Sequence, residues 1–287
     1  MTASSTSDAP VGTSPQFAVA LGGGGARGFA HILVAEALDE LGVRPSRIAG
    51  TSIGALIGSA WAGGMSGKEI RSYVTTKLHD RTQILKGLMQ ARAGSLADFF
   101  RGQMANPVLL DAEKVLALFW PPGLAERFED MTIPLDVIAT DFYGRRQKLF
   151  NSGNVQPAVS ASMAIPGVFR PVSIGGRAFV DGGIVNPLPY NHLIAADTFV
   201  IACDVTGGPV EGKRPSPLPL EALLGASQIM QSSITGQMLQ ASQPNLLLVP
   251  QVDQFKILDF FRATKIMDAS EPLKDEIKRA VEHLVEG

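Results

Sequence analysis

The chain has 287 residues, 45% hydrophobic and 18% charged, which is enough to bury a large core and reads as one globular unit. A net charge of −2 offers no basic stripe for nucleic acid and no polybasic patch for anionic lipid. Cys203 is the only cysteine, which excludes internal disulfides and a cysteine-based metal site, and it reads as a buried strand residue.

Residues 1–15, MTASSTSDAPVGTSP, lack a basic start and an apolar h-region. They are expected to be a disordered polar tail rather than a signal peptide, ahead of one domain over 16–287. No apolar run reaches the ~18 residues of a membrane span, so a cytoplasmic protein is expected. That is compatible with peripheral contact at the inner face of the membrane. Gln16–Leu21 reads as a strand running into the glycine-rich stretch Gly22–Gly28, and Phe29–Leu41 as a helix closed by Gly42. Arg47–Gly50 is the second strand, followed by the turn Gly50-Thr51-Ser52-Ile53-Gly54 and a helix of small apolar residues. This strand–loop–helix repeat predicts an α/β fold with a parallel sheet wrapped by helices. Residues 66–119 read as irregular helix broken at Gly87, Gly94, Gly102 and Pro107. Strands follow at 133–141, 146–150 and 178–180, the last ending in Asp181-Gly182-Gly183. Short helices are expected at 157–164 and 189–196, a strand at 198–203 and an exposed loop at 207–219. A helix over 220–239, a strand over 245–249 and a charged helix over 270–284 complete the chain.

The Gly50–Gly54 pattern matches a nucleophile elbow, although taken alone it also suits an ordinary glycine-rich turn. Its glycines permit a tight turn that lifts the Ser52 hydroxyl clear of the sheet at a helix N-terminus, where negative charge is favoured. Such a serine needs a base and oxyanion donors. The loop Gly22–Gly28 offers the donors, because glycines let several N–H groups converge. Gly23, Gly25 and Gly28 also match a dinucleotide fingerprint, but no acidic residue occurs between Glu40 and Glu69 to hold a ribose. A phosphate-binding loop would need Lys after Gly28, and Phe29 stands there. Among His31, His79, His192 and His283, only His192 suits a Ser–His–Asp triad. The better candidate base is Asp181, at a strand tip ahead of two glycines.

Taken in order, GGGARG, GTSIGA, ASMAIPGVF and DGG resemble the four blocks of the patatin-like phospholipases, over roughly Phe17 to Asp204. Ala139-Thr140-Asp141 and Val185-Asn186-Pro187-Leu188-Pro189 agree with that likeness, and the pattern is most similar to compact bacterial members. The resemblance implies a three-layer α/β/α sandwich with a mostly parallel sheet. It implies a Ser–Asp dyad of Ser52 and Asp181, with Gly50, Gly54, Gly182 and Gly183 as motif glycines. The oxyanion hole would draw on Gly23, Gly24 and Gly25, with Arg27 and Gly28 near by. Leu33 stands where the family usually has glycine, which implies altered packing.

The expected activity is hydrolysis of lipid or phospholipid esters through an acyl-enzyme, as a phospholipase A, lysophospholipase or carboxylic ester hydrolase. The alternatives are a lipid acyltransferase and a Ser–His–Asp esterase using His192. No cofactor and no metal is expected, nor a nucleic-acid partner, while an oligomer is compatible with the pattern. The apolar block from Ile84 to Trp120 suits either core packing or a cap with an acyl groove. Leu223, Leu224, Ile229, Met230, Ile234 and Met238 predict a core or oligomer-interface role for the 220–239 helix, since its other face lacks Lys and Arg. Ile257–Phe261 reads as a core anchor or a pocket mouth.

Overall fold

The computed structural model describes residues 16–92, 109–211 and 216–285. The polar tail lies outside the described residues, as do Leu96, Phe99, Phe100 and Met104 of the apolar block. Eight strands form one mixed sheet: β1 (Gln16–Leu21), β2 (Arg47–Thr51), β3 (Leu135–Asp141), β4 (Arg146–Phe150), β5 (Val172–Ile174), β6 (Arg177–Asp181), β7 (Thr198–Cys203) and β8 (Leu246–Leu248). The order β8-β7-β1-β2-β3 is parallel throughout. Beyond it β4 and β6 both pair antiparallel with β3, and β5 pairs with β6.

Side chains of β1 alternate across the two faces, as a pleated strand requires. Phe17, Val19 and Leu21 face a core built with α1 (His31–Glu40) and α2 (Ile53–Ala62). On the opposite face, Ala18 and Ala20 are small enough for Leu188 and Tyr190 to pack directly on the sheet. Helices therefore cover both faces, and the expected three-layer arrangement with a mostly parallel sheet is what the chain adopts.

Around α2 stand α3 (Gly67–His79), α4 (Arg81–Gln90), α5 (Ala112–Phe119) and α6 (Val155–Ser162). The first three start at side-chain caps. Ser66 and Glu69 form a capping box, Asp80 accepts from the Gln83 N–H, and Asp111 accepts from the Glu113 and Lys114 N–H groups. The remaining helices are α7 (Pro219–Ala241), α8 (Ala263–Ala269) and α9 (Pro272–Val285).

Three local expectations are corrected. The helix expected over 189–196 is a short 3-10 turn, Pro189–His192, because Tyr190 and Leu193 are drawn inward onto the sheet. The strand β5, only three residues long, was not anticipated, since its apolar content is too brief for a periodicity signal. The apolar residues of α7 are core only in part, with Leu224 buried and Met238 and Leu239 packed against the Ala18–Ala20 face of the sheet. Leu220, Leu223, Ile229 and Met230 are exposed, and only Leu224, Gly225, Gln228 and Thr235 are buried.

Candidate active site

Register along β3 brings the two key segments together. Thr51, the last residue of β2, pairs with Ile138, and the next position on β3, Ala139, pairs with Asp181 at the end of β6. The chain leaves β2 at the elbow, and β6 takes over the same edge of β3. Ser52 and Asp181 are thereby placed end to end. The Ser52 Oγ donates a 2.7 Å hydrogen bond to Oδ2 of Asp181.

Ser52 has φ 56° and ψ −122°, a conformation that costs a residue with a side chain roughly 1–3 kcal/mol. The surroundings hold it there. Its N–H donates to Oγ of Ser162 at 2.8 Å, and that hydroxyl donates in turn to the Ile138 carbonyl of β3 at 2.5 Å. The Ser52 carbonyl accepts from the N–H groups of Ala55 and Leu56, which begins α2. The hydroxyl of Thr51 donates to the Asn186 carbonyl at 2.9 Å. A Cβ on Gly54 would stand 2.1 Å from the Leu21 carbonyl, so only glycine lets α2 start directly over the end of β1.

Asp181 is buried, and burial pushes its carboxyl up to about 6 against the pull of hydrogen bonds from Ser52 and Gly183. The Gly183 N–H donates to Oδ1 at 2.7 Å, and the Asp181 N–H donates to the Ala164 carbonyl at 3.0 Å. The segment Ser162–Ala164 thus grips both members of the pair. Sequence reasoning singled out this block as part of a motif without assigning Ser162 a task.

The glycine loop lies beside the pair. Gly23 donates its N–H to the Pro187 carbonyl at 2.9 Å and Gly22 donates to Cys203, whereas the Gly24 and Gly25 N–H groups have no acceptor among the described residues. Gly25 has φ 60°, and a Cβ there would stand 2.2 Å from the Ile257 carbonyl. Arg27 is fully buried behind the loop and does not line the crevice at Ser52. Its Nε donates to the Gly24 carbonyl at 3.4 Å, and the Gln228 amide of α7 lies against its guanidinium. Burial lowers its pKa to about 10, with Asp253 and Asp204 opposing that drop. Gly28 sits where a Cβ would overlap Ile53, and Gly182 where one would overlap the Ile138 carbonyl. Gly50 backs onto Ala55 at the start of α2.

None of the described histidine contacts involves Ser52 or Asp181. His192 Nε2 lies 2.6 Å from the Gln147 amide nitrogen, and burial lowers its pKa. His31 is fully buried and donates from Nε2 to the Gly22 carbonyl, with burial lowering its pKa to about 4. His79 is exposed at the end of α3. Cys203 is buried, as the sequence suggests, and burial raises its thiol pKa.

Ser52 opens onto an apolar cavity of about 300 Å³. Its walls are Ile53, Leu56 and Ile57 of α2, Ile70 and Val74 of α3, Ile84 and Leu88 of α4, and Phe119 of α5. Met163 and Ile165 follow Ser162 into the wall, and Leu258, Phe260 and Phe261 complete it. The described part of the Ile84–Trp120 block and the Ile257–Phe261 cluster therefore both reach this cavity. On the other side Leu224, Ser227 and Gln231 of α7 roof the crevice above Ser52 and Asp181.

A mixed α/β sheet with a serine elbow, an adjoining carboxylate and an open glycine loop defines a serine-hydrolase type of architecture. Residues 19–194 match the family model described as "Patatin-like phospholipase", and the chain belongs to that family. It is 34% identical over 208 residues to an uncharacterized NTE family protein of Mycobacterium tuberculosis, covering 71% of this chain and 54% of that protein. It is 27% identical over 282 residues to patatin-like phospholipase domain-containing protein 6 of Mus musculus, covering 89% of this chain and 20% of that protein. The chain thus spans about half or less of the length of these curated relatives. Among solved structures, VipD from Legionella pneumophila aligns over 92% of this chain and 67% of its own, with a TM-score of 0.48 and 14% identity.

Proposed function

We propose that this protein hydrolyses carboxylic esters of lipids through a Ser52–Asp181 dyad, with residues 16–287 acting as one hydrolase unit. The observation that carries the reading is the 2.7 Å hydrogen bond from Ser52 to a buried carboxylate at the head of an apolar cavity. A carboxylate near its ordinary pKa of ~3.9 is a weak base, and the rise to about 6 strengthens it. Above that pH, Asp181 accepts the Ser52 proton as Oγ attacks the ester carbonyl. The Gly24 and Gly25 N–H groups then stabilise the oxyanion, each such donor contributing roughly 3 kcal/mol. The positive end of α2 adds to that field. Asp181 returns the proton to the leaving alcohol; it then takes a proton from the water that attacks the acyl-enzyme and gives it to Ser52 Oγ as the fatty acid leaves.

The cavity wall is mainly apolar, with Tyr73 and Lys77 of α3 also part of it, and suits a long acyl chain, which supports phospholipase A or lysophospholipase substrates over short esters. The test is a panel of lipid classes and chain lengths on the wild type and Ser52→Ala, together with a fluorophosphonate probe. We expect the probe to label Ser52 and long-chain ester hydrolysis to vanish in the variant. Hydrolysis surviving in Ser52→Ala would overturn the assignment, and transfer to an added lysolipid in place of free fatty acid would make the protein an acyltransferase.

A further inference from the structure

The overall charge hides a strong local asymmetry. The 39 residues from Phe142 to Val180 contain five Arg or Lys side chains and no Asp or Glu, in a chain whose net charge is −2. Two of those cations are committed to ion pairs, Arg170 with Asp111 and Arg177 with Asp141. Arg145, Arg146 and Lys148 are exposed and form no salt bridge among the described residues.

Lys148 lies further down β4 opposite Ala139, its Nζ over the Phe150 ring, while Arg145 and Arg146 flank the tip of the β3–β4 hairpin, whose apex carries Phe142 and Tyr143. The two rings are 51% and 80% exposed and pack edge to face at 5.2 Å, so they shield little of each other from water. The tip is nevertheless held firmly. Asp141 accepts from the Gly144 N–H and from Nε of Arg177, which also ties the β3–β4 hairpin to the β5–β6 hairpin. The Phe142 N–H donates to the Ala178 carbonyl. Register sets the height of the tip. Asp181 lies level with Ala139, so Phe142 and Tyr143 project about 10 Å past the dyad, at ~3.3 Å per strand residue. They project from the end of β3 on which the elbow opens.

We propose that the β3–β4 hairpin tip docks the protein on an anionic lipid surface, Phe142 and Tyr143 entering the interface and Arg145 and Arg146 meeting the headgroups. Aromatic rings of this kind favour the water–lipid boundary, and basic side chains beside them are attracted to anionic leaflets. Docking there sets the elbow's end of the sheet toward the bilayer and presents Ser52 to esters at its surface. Ile184, the partly exposed residue lining the crevice just after Gly183, continues the apolar rim toward the dyad.

Docking draws its purpose from the lipid-ester reading, but it is measured on the Ser52→Ala protein, where no turnover occurs. Sedimentation with vesicles of phosphatidylcholine alone and of an equimolar mixture with phosphatidylglycerol supplies the readout. We expect tight binding to the anionic vesicles only, weakened about 30-fold by Arg145→Glu with Arg146→Glu. Phe142→Ser with Tyr143→Ser should weaken it about 10-fold, and high salt should mimic the charge reversal. With Ser52 intact, both pairs of changes should spare turnover of a soluble short-chain ester and reduce turnover on anionic vesicles. Unchanged vesicle binding in the charge-reversed protein would overturn the proposal. So would failure of the parent to bind anionic vesicles, or a dimer that Tyr143→Ser dissolves. Vesicle binding without any Ser52-dependent turnover would instead leave docking intact and refute the hydrolase reading.

Discussion

Replacing Asp181 with asparagine separates catalysis from stability. Burial raises the carboxyl to about 6, against an ordinary value of ~3.9, a difference of about 3 kcal/mol in the cost of carrying the charge inside the fold. The sign follows from the direction of the shift. Below pH ~4 the group is protonated in both the folded and unfolded chain, so it exacts nothing. Between ~4 and ~6 the unfolded chain ionises first and the penalty grows, and above ~6 it is complete. Asparagine carries no charge, while its Oδ1 still accepts from the Gly183 N–H and its Nδ2 can donate to Ser52. Asp181→Asn should therefore lack ester hydrolysis and yet melt several degrees higher than the wild type at pH 8, the gap closing toward pH 4. Thermal melts of both proteins across pH 4–8 provide the assay. A melting difference independent of pH, or a variant less stable than the wild type at pH 8, would refute the account of a desolvated carboxylate. In the wild type, kcat/KM should rise with pH and level off above about 6, as Asp181 becomes free to accept a proton.

Other outcomes follow from the same geometry. Ser162→Ala leaves the Ser52 N–H unpartnered and should lower kcat about 100-fold with little change in KM, because the nucleophile is displaced rather than its substrate. It should also reduce stability by roughly 1–3 kcal/mol, and by less in a Ser52→Gly background, where positive φ carries no strain. His192→Ala should retain hydrolysis within a few-fold, and complete loss there would restore the Ser–His–Asp triad. Gly25→Ala forces a Cβ against the Ile257 carbonyl and should lower kcat by 10²-fold or more, with labelling by a small fluorophosphonate slowed in parallel.

Much of the fold was legible because its signals are local. The elbow, the glycine loop and the parallel strands each announce themselves through a glycine spacing or an apolar run, and Asp181 stands beside glycines that mark a tight turn. What stayed hidden depends on contacts distant in sequence. Ser162 carries no local mark that distinguishes it from a small-residue helix position. Its task appears only when α6 is set against Ile138 and Ser52, which are 24 and 110 residues away. The commitment of the Gly23 N–H to Pro187 was equally invisible, since it depends on where the segment after Asp181 returns. The 220–239 helix was legible only in part. Its apolar spacing imitates a core stripe, but the buried line runs through Leu224, Gln228 and Thr235 and leaves Leu223, Ile229 and Met230 outside.

The dependence on long-range register also explains how a buried aspartate can face Ser52 without an imidazole between them. In a sheet where every neighbour of β3 ran its full length, the edge beyond Thr51 would be filled by more of β2, and any side chain reaching Ser52 would have to come from a loop. Here β2 ends at Thr51, opposite Ile138, and antiparallel β6 fills the same edge of β3 from Ala139 onward. The carboxylate arrives on a strand whose position is set by ladder hydrogen bonds, and Thr140 fixes the Asp181 carbonyl with a further bond of 2.8 Å. A short side chain on so rigid a support meets the serine hydroxyl directly. A longer base would have to be accommodated by shifting β6 or the elbow, both of which are clamped by Ser162 and Ala164. Asp181→Glu should on these grounds impair hydrolysis nearly as severely as Asp181→Asn despite preserving the charge, because the extra methylene has no room between Ala164 and Ser52.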